Sequence, residues 1–201
     1  QIGLPLTLME LDHEHRYAVL EIGANAPGEI GRLGSLISPR GAVVTRIGWA
    51  HLEGFGTPGG LTKEKMSIAG VLPPDGWCAI NADDPEQMKH RGLFSCEVVT
   101  YGFGVADVKA EDMTTSGEGT AFTVRTPYGR AGVRLKAFGK HFVENALAAA
   151  AGVLPLGLDI DLIAAALEGW VPFRQRGGVL SPSPGVHFID ETYNANPLSV
   201  K

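Results

Sequence analysis

Cysteine is scarce: Cys78 and Cys96 are the only two in 201 residues, and they fall in different expected elements. That argues against a disulfide framework or a cysteine-based metal site, and for a reducing compartment. No uninterrupted apolar run reaches the length, about 18 residues, that a bilayer-spanning helix needs. Basic charge is in deficit, with 17 Lys and Arg against 22 Asp and Glu, a net charge of −5 and a pI near 5.7. Nucleic acid is therefore disfavoured as the main partner, since phosphate-backbone binding needs clustered Lys and Arg. Gln1 is followed by neither a basic stretch nor an apolar one of signal-peptide type. No G-x-x-x-x-G-K-[ST] phosphate loop occurs; "FGKH" at 138–141 comes nearest and lacks the leading Gly and the hydroxyl. What remains is ordinary globular composition, 44% hydrophobic and 19% charged, in a chain long enough to bury a sizeable core.

The first half alternates strand and helix signals. "RYAVLEI" at 16–22 reads as a parallel strand buried on both faces, and "AVVTRI" at 42–47 and "WCAINA" at 77–82 as further strands. Helical spacing at Ile30, Leu33, Leu36 and Ile37 predicts a helix over 29–38 that ends before Pro39. A second helix is expected over 61–72, after a loop with five glycines between 48 and 60. "DDPEQMKH" opens another, with acidic residues and Pro85 in its first turn. Such alternation implies right-handed crossovers and a mainly parallel sheet. Residues 97–137 hold short extended stretches between Gly-rich turns and predict an antiparallel subsheet. Helices follow at 141–154 and, behind Asp159 as N-cap, at 160–169; extended segments near 178–181 and 186–190 come last.

Four constellations are candidates for chemistry. Glu21, in "EIGAN", stands at the carboxyl end of an expected strand, where open α/β sheets bind ligands. It suits Mg²⁺ beside phosphates, or simply caps the strand end or pairs with an Arg. "HLEGFGTPGGLTKEK" at 51–65 sets His51 and Glu53 before a glycine loop, with Lys63 and Lys65 on the next helix. That is a ligand-approaching loop or a solvated one; placement of His51 after the second strand brings it near Glu21 and favours the former. Asn145, one turn into an apolar helix, has an amide able to pair with an adenine edge or with backbone groups. In "IDETYNANP" at 189–197, Asp190 suits ribose hydroxyls, while Tyr193, Asn194 and Asn196 contact substrate or cap a turn before Pro197. Arg174 and Arg176 are phosphate-binding candidates, with a surface ion pair as the alternative.

Taken in order, "IGLPLTL", "EIGAN.PGEI", "AHLEGFG", "INADDP", "GKH...NALAAAA" and "IDETYNANP" resemble the Mur ligase family, in the branch that adds D-alanyl-D-alanine. The match runs over nearly the whole chain. The resemblance implies an ATP-dependent ligase of peptidoglycan precursor synthesis, bacterial and cytoplasmic. It phosphorylates the carboxylate of a UDP-N-acetylmuramoyl tripeptide, and the amine of D-Ala-D-Ala attacks the acyl phosphate. It also implies a P-loop NTPase-like central domain at 1–196, without its P-loop segment, and a linker from 197 to 201. The phosphate loop and two flanking domains would lie outside this chain, which by itself would be inactive.

By the same resemblance, Glu21 binds Mg²⁺ near the γ-phosphate, His51 binds a second Mg²⁺, and Lys65 is carbamylated, giving a metal and catalytic set of Glu21, His51 and Lys65. A carbamate is an anion with two oxygens, whereas an ammonium would repel the ion. Asn145 goes to adenine, Asp190 to ribose and Arg176 to the phosphates, with Tyr193 and Asn194 at the nucleotide-facing strand end. The chain departs from the family at Arg46 and Phe142, both commonly Asn, and at Met66–Ser67, commonly Gly-Glu. Two other readings stand beside this one: a non-catalytic nucleotide-binding or scaffold module of the same fold, and a related amide ligase with another amino-acid substrate. An upstream phosphate loop favours the enzyme over the module.

Overall fold

The computed structural model of the chain describes residues 3–48, 55–173, 175–183, 186–190 and 192–193. One sheet runs through the centre, its strands in spatial order β1 (Gly41–Val43), β2 (Trp77–Asn81), β3 (Glu97–Gly102), β4 (Val108–Ser116), β5 (Gly119–Thr126) and β6 (Gly129–Leu135). β1, β2 and β3 are parallel, in register from Gly41↔Trp77 and Trp77↔Glu97. Helices among the described residues include α1 (Gly3–Met9), α2 (Glu29–Ile37), α3 (Pro58–Met66), α4 (Pro85–Lys89), α5 (Lys140–Val153) and α6 (Ile160–Gly169). A separate antiparallel pair, β7 (Gly178–Ser183) and β8 (Val186–Asp190), completes the elements. The expected class, a mainly parallel sheet flanked by helices with a smaller antiparallel part, is the one observed.

β4 runs parallel to β3 although only five residues separate them. Parallel neighbours normally need a crossover of a dozen residues or more. Here they overlap only at Tyr101↔Val108 and Gly102↔Lys109, so β4 starts where β3 stops and continues onward. Carboxylates hold the joint. Asp107 Oδ2 accepts from the Thr100 amide (2.8 Å) and hydroxyl (2.6 Å), and Thr100 Oγ1 accepts from the Asp107 amide (2.9 Å). Asp83, after β2, accepts from the Phe103 and Gly104 amides at 2.5 and 3.0 Å. The antiparallel meander follows from β4 to β6. The antiparallel reading of 97–137 therefore holds from β4 onward and is corrected at β3, which belongs to the parallel part; the meander shares its ladder with the main sheet.

The core lies on both sides of that joint. One apolar cluster joins β3–β6 to α5 and α6 through residues such as Val99, Phe122, Val133, Leu147 and Ile163. The other joins α2, α3, β1 and β2 through Ile30, Leu33, Leu61, Met66 and Ile80. α5 buries Ala146, Ala148, Ala150 and Ala151, whose small side chains let its backbone approach the sheet. Trp77 Nε1 donates to Gly152 O at 2.8 Å and ties the end of that helix to β2.

Two expectations fail at the amino-terminal end. Residues 16–22 form no strand: the segment has no ladder partner among the described residues, Val19 is 99% exposed and Tyr17 71%. An apolar run becomes a strand only where neighbours pair with it and cover it, because β-propensity is mainly fit to a packed surface. Residues 3–9, read as loop, are a helix that buries none of its side chains. The helix expected at 61–72 is α3, followed by a 3₁₀ turn at Ser67–Gly70.

Candidate active site

The carboxyl ends of β1, β2 and β3 carry a buried polar network that the sequence reading missed. Gln87, on α4 and fully buried, accepts from the Asn81 amide at 2.9 Å and donates to Thr45 O at 2.9 Å. Asn81 Nδ2 donates to Glu144 of α5, and Asn81 Oδ1 accepts from the Asp83 amide at 2.8 Å. Arg46 Nη1 stands 3.5 Å from the second oxygen of Glu144, whose residue is 8% exposed. Tyr101 donates its hydroxyl to Val44 O at 2.8 Å. Burial first, and the nearby Glu144 carboxylate second, push that phenol well above its ordinary 10.0. Buried polar groups persist only when satisfied, and this network fixes the strand ends against α4 and α5. Its signal in the sequence was a carboxylate among the inward-facing positions of an Ala-rich helix.

Asn145 follows Glu144 and lies exposed on α5, with no hydrogen-bond partner among the described residues. Its amide thus has both donor and acceptor open among the described residues. Lys140, in the first turn of α5, covers the Phe103 ring at 4.1 Å, so the "GKH" stretch packs on the β3–β4 joint. Phe142, where the family commonly has Asn, is buried against Trp170 with ring centroids 5.6 Å apart.

Glu21 is exposed and lines an open groove of about 320 Å³ with Gly3, Leu4, Thr7, Val19, Leu20 and Gly23. Lys65 is half-buried in the last turn of α3, and its ammonium pairs with nothing among the described residues. α3 starts from Thr57, whose hydroxyl accepts from the Gly60 amide at 3.1 Å. The segments bearing Glu21 and Lys65 are brought together by Glu64, which accepts from the Gly28 and Ile30 amides at 2.7 and 2.8 Å.

A third cluster gathers residues from around β7 and β8. The Arg176 guanidinium stacks on the Tyr193 ring at 4.1 Å. The Tyr193 amide donates to Gln175 O at 3.1 Å, and the Gly177 amide to Asp190 O at 2.8 Å. Asp190 Oδ1 accepts from the Thr192 amide (3.2 Å) and hydroxyl (2.6 Å), and its other oxygen has no hydrogen-bond partner among the described residues. Arg176, Asp190 and Tyr193 therefore form one unit offering a planar cation, an aromatic face and a carboxylate. No hydrogen bond among the described residues joins this unit or Asn145 to the Glu21 and Lys65 segments. His51, Glu53, Arg174, Asn194 and Asn196 lie outside the described residues.

Comparison with known proteins gives the frame for these clusters. The Mur ligase middle domain profile matches residues 1–153. The chain is 34% identical over 202 residues to the UDP-N-acetylmuramoyl-tripeptide–D-alanyl-D-alanine ligase of Haemophilus influenzae, covering 99% of this chain and 43% of that protein. It is 36% identical over 198 residues to the ligase of the same name from Escherichia coli, covering 97% and 44%. The fold superimposes on MurF from Acinetobacter baumannii with a TM-score of 0.93 at 36% identity, over 99% of this chain and 44% of that one. A MurF ligase from Thermotoga maritima solved in complex with ADP gives 0.84 at 26% identity, over 98% and 45%. The chain thus spans less than half the length of the relatives it matches. With a family profile over three quarters of its length and the same fold throughout, this chain belongs to the Mur ligase family, as a middle domain.

Proposed function

We propose that this chain is the nucleotide-binding part, residues 1–196, of an ATP-dependent ligase that joins D-Ala-D-Ala to a UDP-N-acetylmuramoyl tripeptide in the bacterial cytoplasm, with residues 197–201 leading onward as a linker. The observation that carries the reading is the Arg176–Tyr193–Asp190 unit in a chain similar over 99% of its length to a UDP-N-acetylmuramoyl-tripeptide–D-alanyl-D-alanine ligase. Asp190, its second oxygen unpartnered among the described residues, takes the ribose hydroxyls. Arg176, its plane set by the Tyr193 ring, takes phosphate oxygens, for which a planar fork of donors is suited. Asn145 pairs with the adenine edge. Tyr193, and Asn194 outside the described residues, are assigned to the nucleotide.

Glu21, His51 and Lys65 are proposed to hold Mg²⁺. Among the described residues, no group of three His, Cys, Asp or Glu is assembled to hold an ion by itself. Mg²⁺ keeps waters and takes one or two protein carboxylates beside substrate phosphates, a role that a carboxylate such as Glu21 suits. Lys65 fits as a ligand when carbamylated, since its amine has no competing partner among the described residues. The bound ion would neutralise charge developing on the transferred phosphoryl group. The chain's own work is positional: it holds nucleotide and acceptor carboxylate in line.

The test is phosphate release by the full-length protein given ATP, Mg²⁺, UDP-N-acetylmuramoyl tripeptide and D-Ala-D-Ala. Release that requires both the tripeptide and the dipeptide is expected, and the 201-residue chain alone should give none. Nucleotide binding without any release from the full-length protein would overturn the ligase and leave a nucleotide-binding module.

A further inference from the structure

We infer that Glu64 is a positioning residue: its carboxylate latches the helix carrying Lys65 to the turn that follows Glu21. The inference rests on the proposal above that Glu21 and Lys65 serve one cation site. Glu64 precedes Lys65 in α3 and is 6% exposed, deep enough that an unpartnered carboxylate would be strongly unfavourable. Both oxygens are used: Oε2 accepts from the Gly28 amide at 2.7 Å and Oε1 from the Ile30 amide at 2.8 Å. These amides open α2, where backbone donors lack partners within the helix and the helix dipole favours an anion. Gly28, the N-cap at φ 84, has no side chain to satisfy them, so the cap comes from another helix.

The same turn is gripped from its other side. Glu29 Oε2 accepts from the Asn25 and Ala26 amides at 2.7 and 3.3 Å. Amides 25, 26, 28 and 30 are all bound by carboxylates, and Glu21 lies four residues before the first of them. Residues adjacent in a helix point about 100° apart. Glu64 therefore turns inward to the latch while Lys65 reaches a half-buried, open position. The grip on Gly28 and Ile30 sets the rotation and advance of α3, and with them where the Lys65 side chain begins relative to Glu21. A glutamine would keep one acceptor but aim its amide donors at a backbone N–H, breaking half of the latch.

The experiment uses the full-length protein with Glu64→Gln and Glu64→Ala, titrating Mn²⁺ by electron paramagnetic resonance with a non-hydrolysable ATP analogue, and following folding by circular dichroism. Glu64→Gln should fold and bind Mn²⁺ about tenfold more weakly, as loss of a group orienting metal ligands does, while KM for ATP changes less than twofold and kcat falls. Glu64→Ala should weaken Mn²⁺ binding further. A folded Glu64→Gln protein with unchanged Mn²⁺ affinity would reduce Glu64 to a helix cap and overturn the inference, as would failure of that isosteric variant to fold. Glu21→Ala and Lys65→Ala separate the premises. If they weaken Mn²⁺ binding and Glu64→Gln does not, the latch alone is wrong; if they have no effect, the cation-site assignment falls, and the inference with it.

Discussion

A guanidinium lying 4.1 Å over a phenol ring is held by the ring's face, whereas the hydroxyl at the rim adds nothing to the stack. Tyr193→Phe should therefore leave the KM for ATP within about twofold, and Tyr193→Ala should raise it roughly fivefold, the ~1 kcal/mol that such a contact is worth. Steady-state kinetics of the full-length protein would check both. Another single position gives a prediction on stability. Gly119 sits at φ 127, and a Cβ there would meet Leu135 O at 2.0 Å. Gly119→Ala should cost about 2 kcal/mol or more, read from urea denaturation. Residues of this kind divide into those a sequence announces and those it hides. Asp190 and Tyr193 were legible because several polar groups crowd one strand end. Glu64, Asn81 and Glu144 were not, because a buried polar group is explained by its partners, and theirs include residues 34 to 98 positions away along the chain.

Elements with their own punctuation were read well. α6 begins behind Asp159, whose carboxylate accepts from the Asp161 amide, and it spans the residues that its spacing predicts. α4 begins behind Asp84 in the same way, with its carboxylate accepting from the Glu86 and Gln87 amides and from Gln87 Nε2 at 3.2 Å. Asp84→Ala should cost about 1–2 kcal/mol, the usual value of such a cap, and loosen Gln87 from the strand ends. A smaller penalty in Asp84→Asn or Asp84→Ser, measured by thermal unfolding, would mark it as a capping loss. The stretch 16–22 shows where punctuation fails. Its apolar run satisfied the strand pattern, but a strand is a relation between segments, and no described segment pairs with it. The direction of β3 was hidden for the same reason: nothing in "EVVTYG" states whether its neighbour runs with it or against it.

Across the molecule, two buried acids that must stay neutral tie stability to alkaline pH. Burial pushes the Cys78 thiol far above its ordinary 9.0, and burial with the Glu144 charge does the same to Tyr101 above 10.0. The unfolded chain releases these protons at the ordinary values while the folded chain retains them. Their contribution is therefore complete below about pH 9 and is lost as pH rises toward the raised folded values, by about 1.4 kcal/mol per pH unit for each group past its ordinary value. Urea midpoints should fall steadily above pH 9, and a Tyr101→Phe/Cys78→Ala double variant, though less stable at neutral pH, should show a flatter alkaline limb. The end-to-start overlap of β3 and β4 bears on a different matter, the tolerance of this fold to changes in length. Because only two residue pairs connect the meander to the parallel strands, β4, β5 and β6 extend away from the strand ends where Asn81 and Glu144 meet. Residues inserted in pairs beside the tips at 117–118 and 127–128 would lengthen the hairpins while preserving which face each side chain takes. Odd-numbered insertions would invert that alternation, so length variation among natural sequences of this fold should collect at those tips in steps of two per strand.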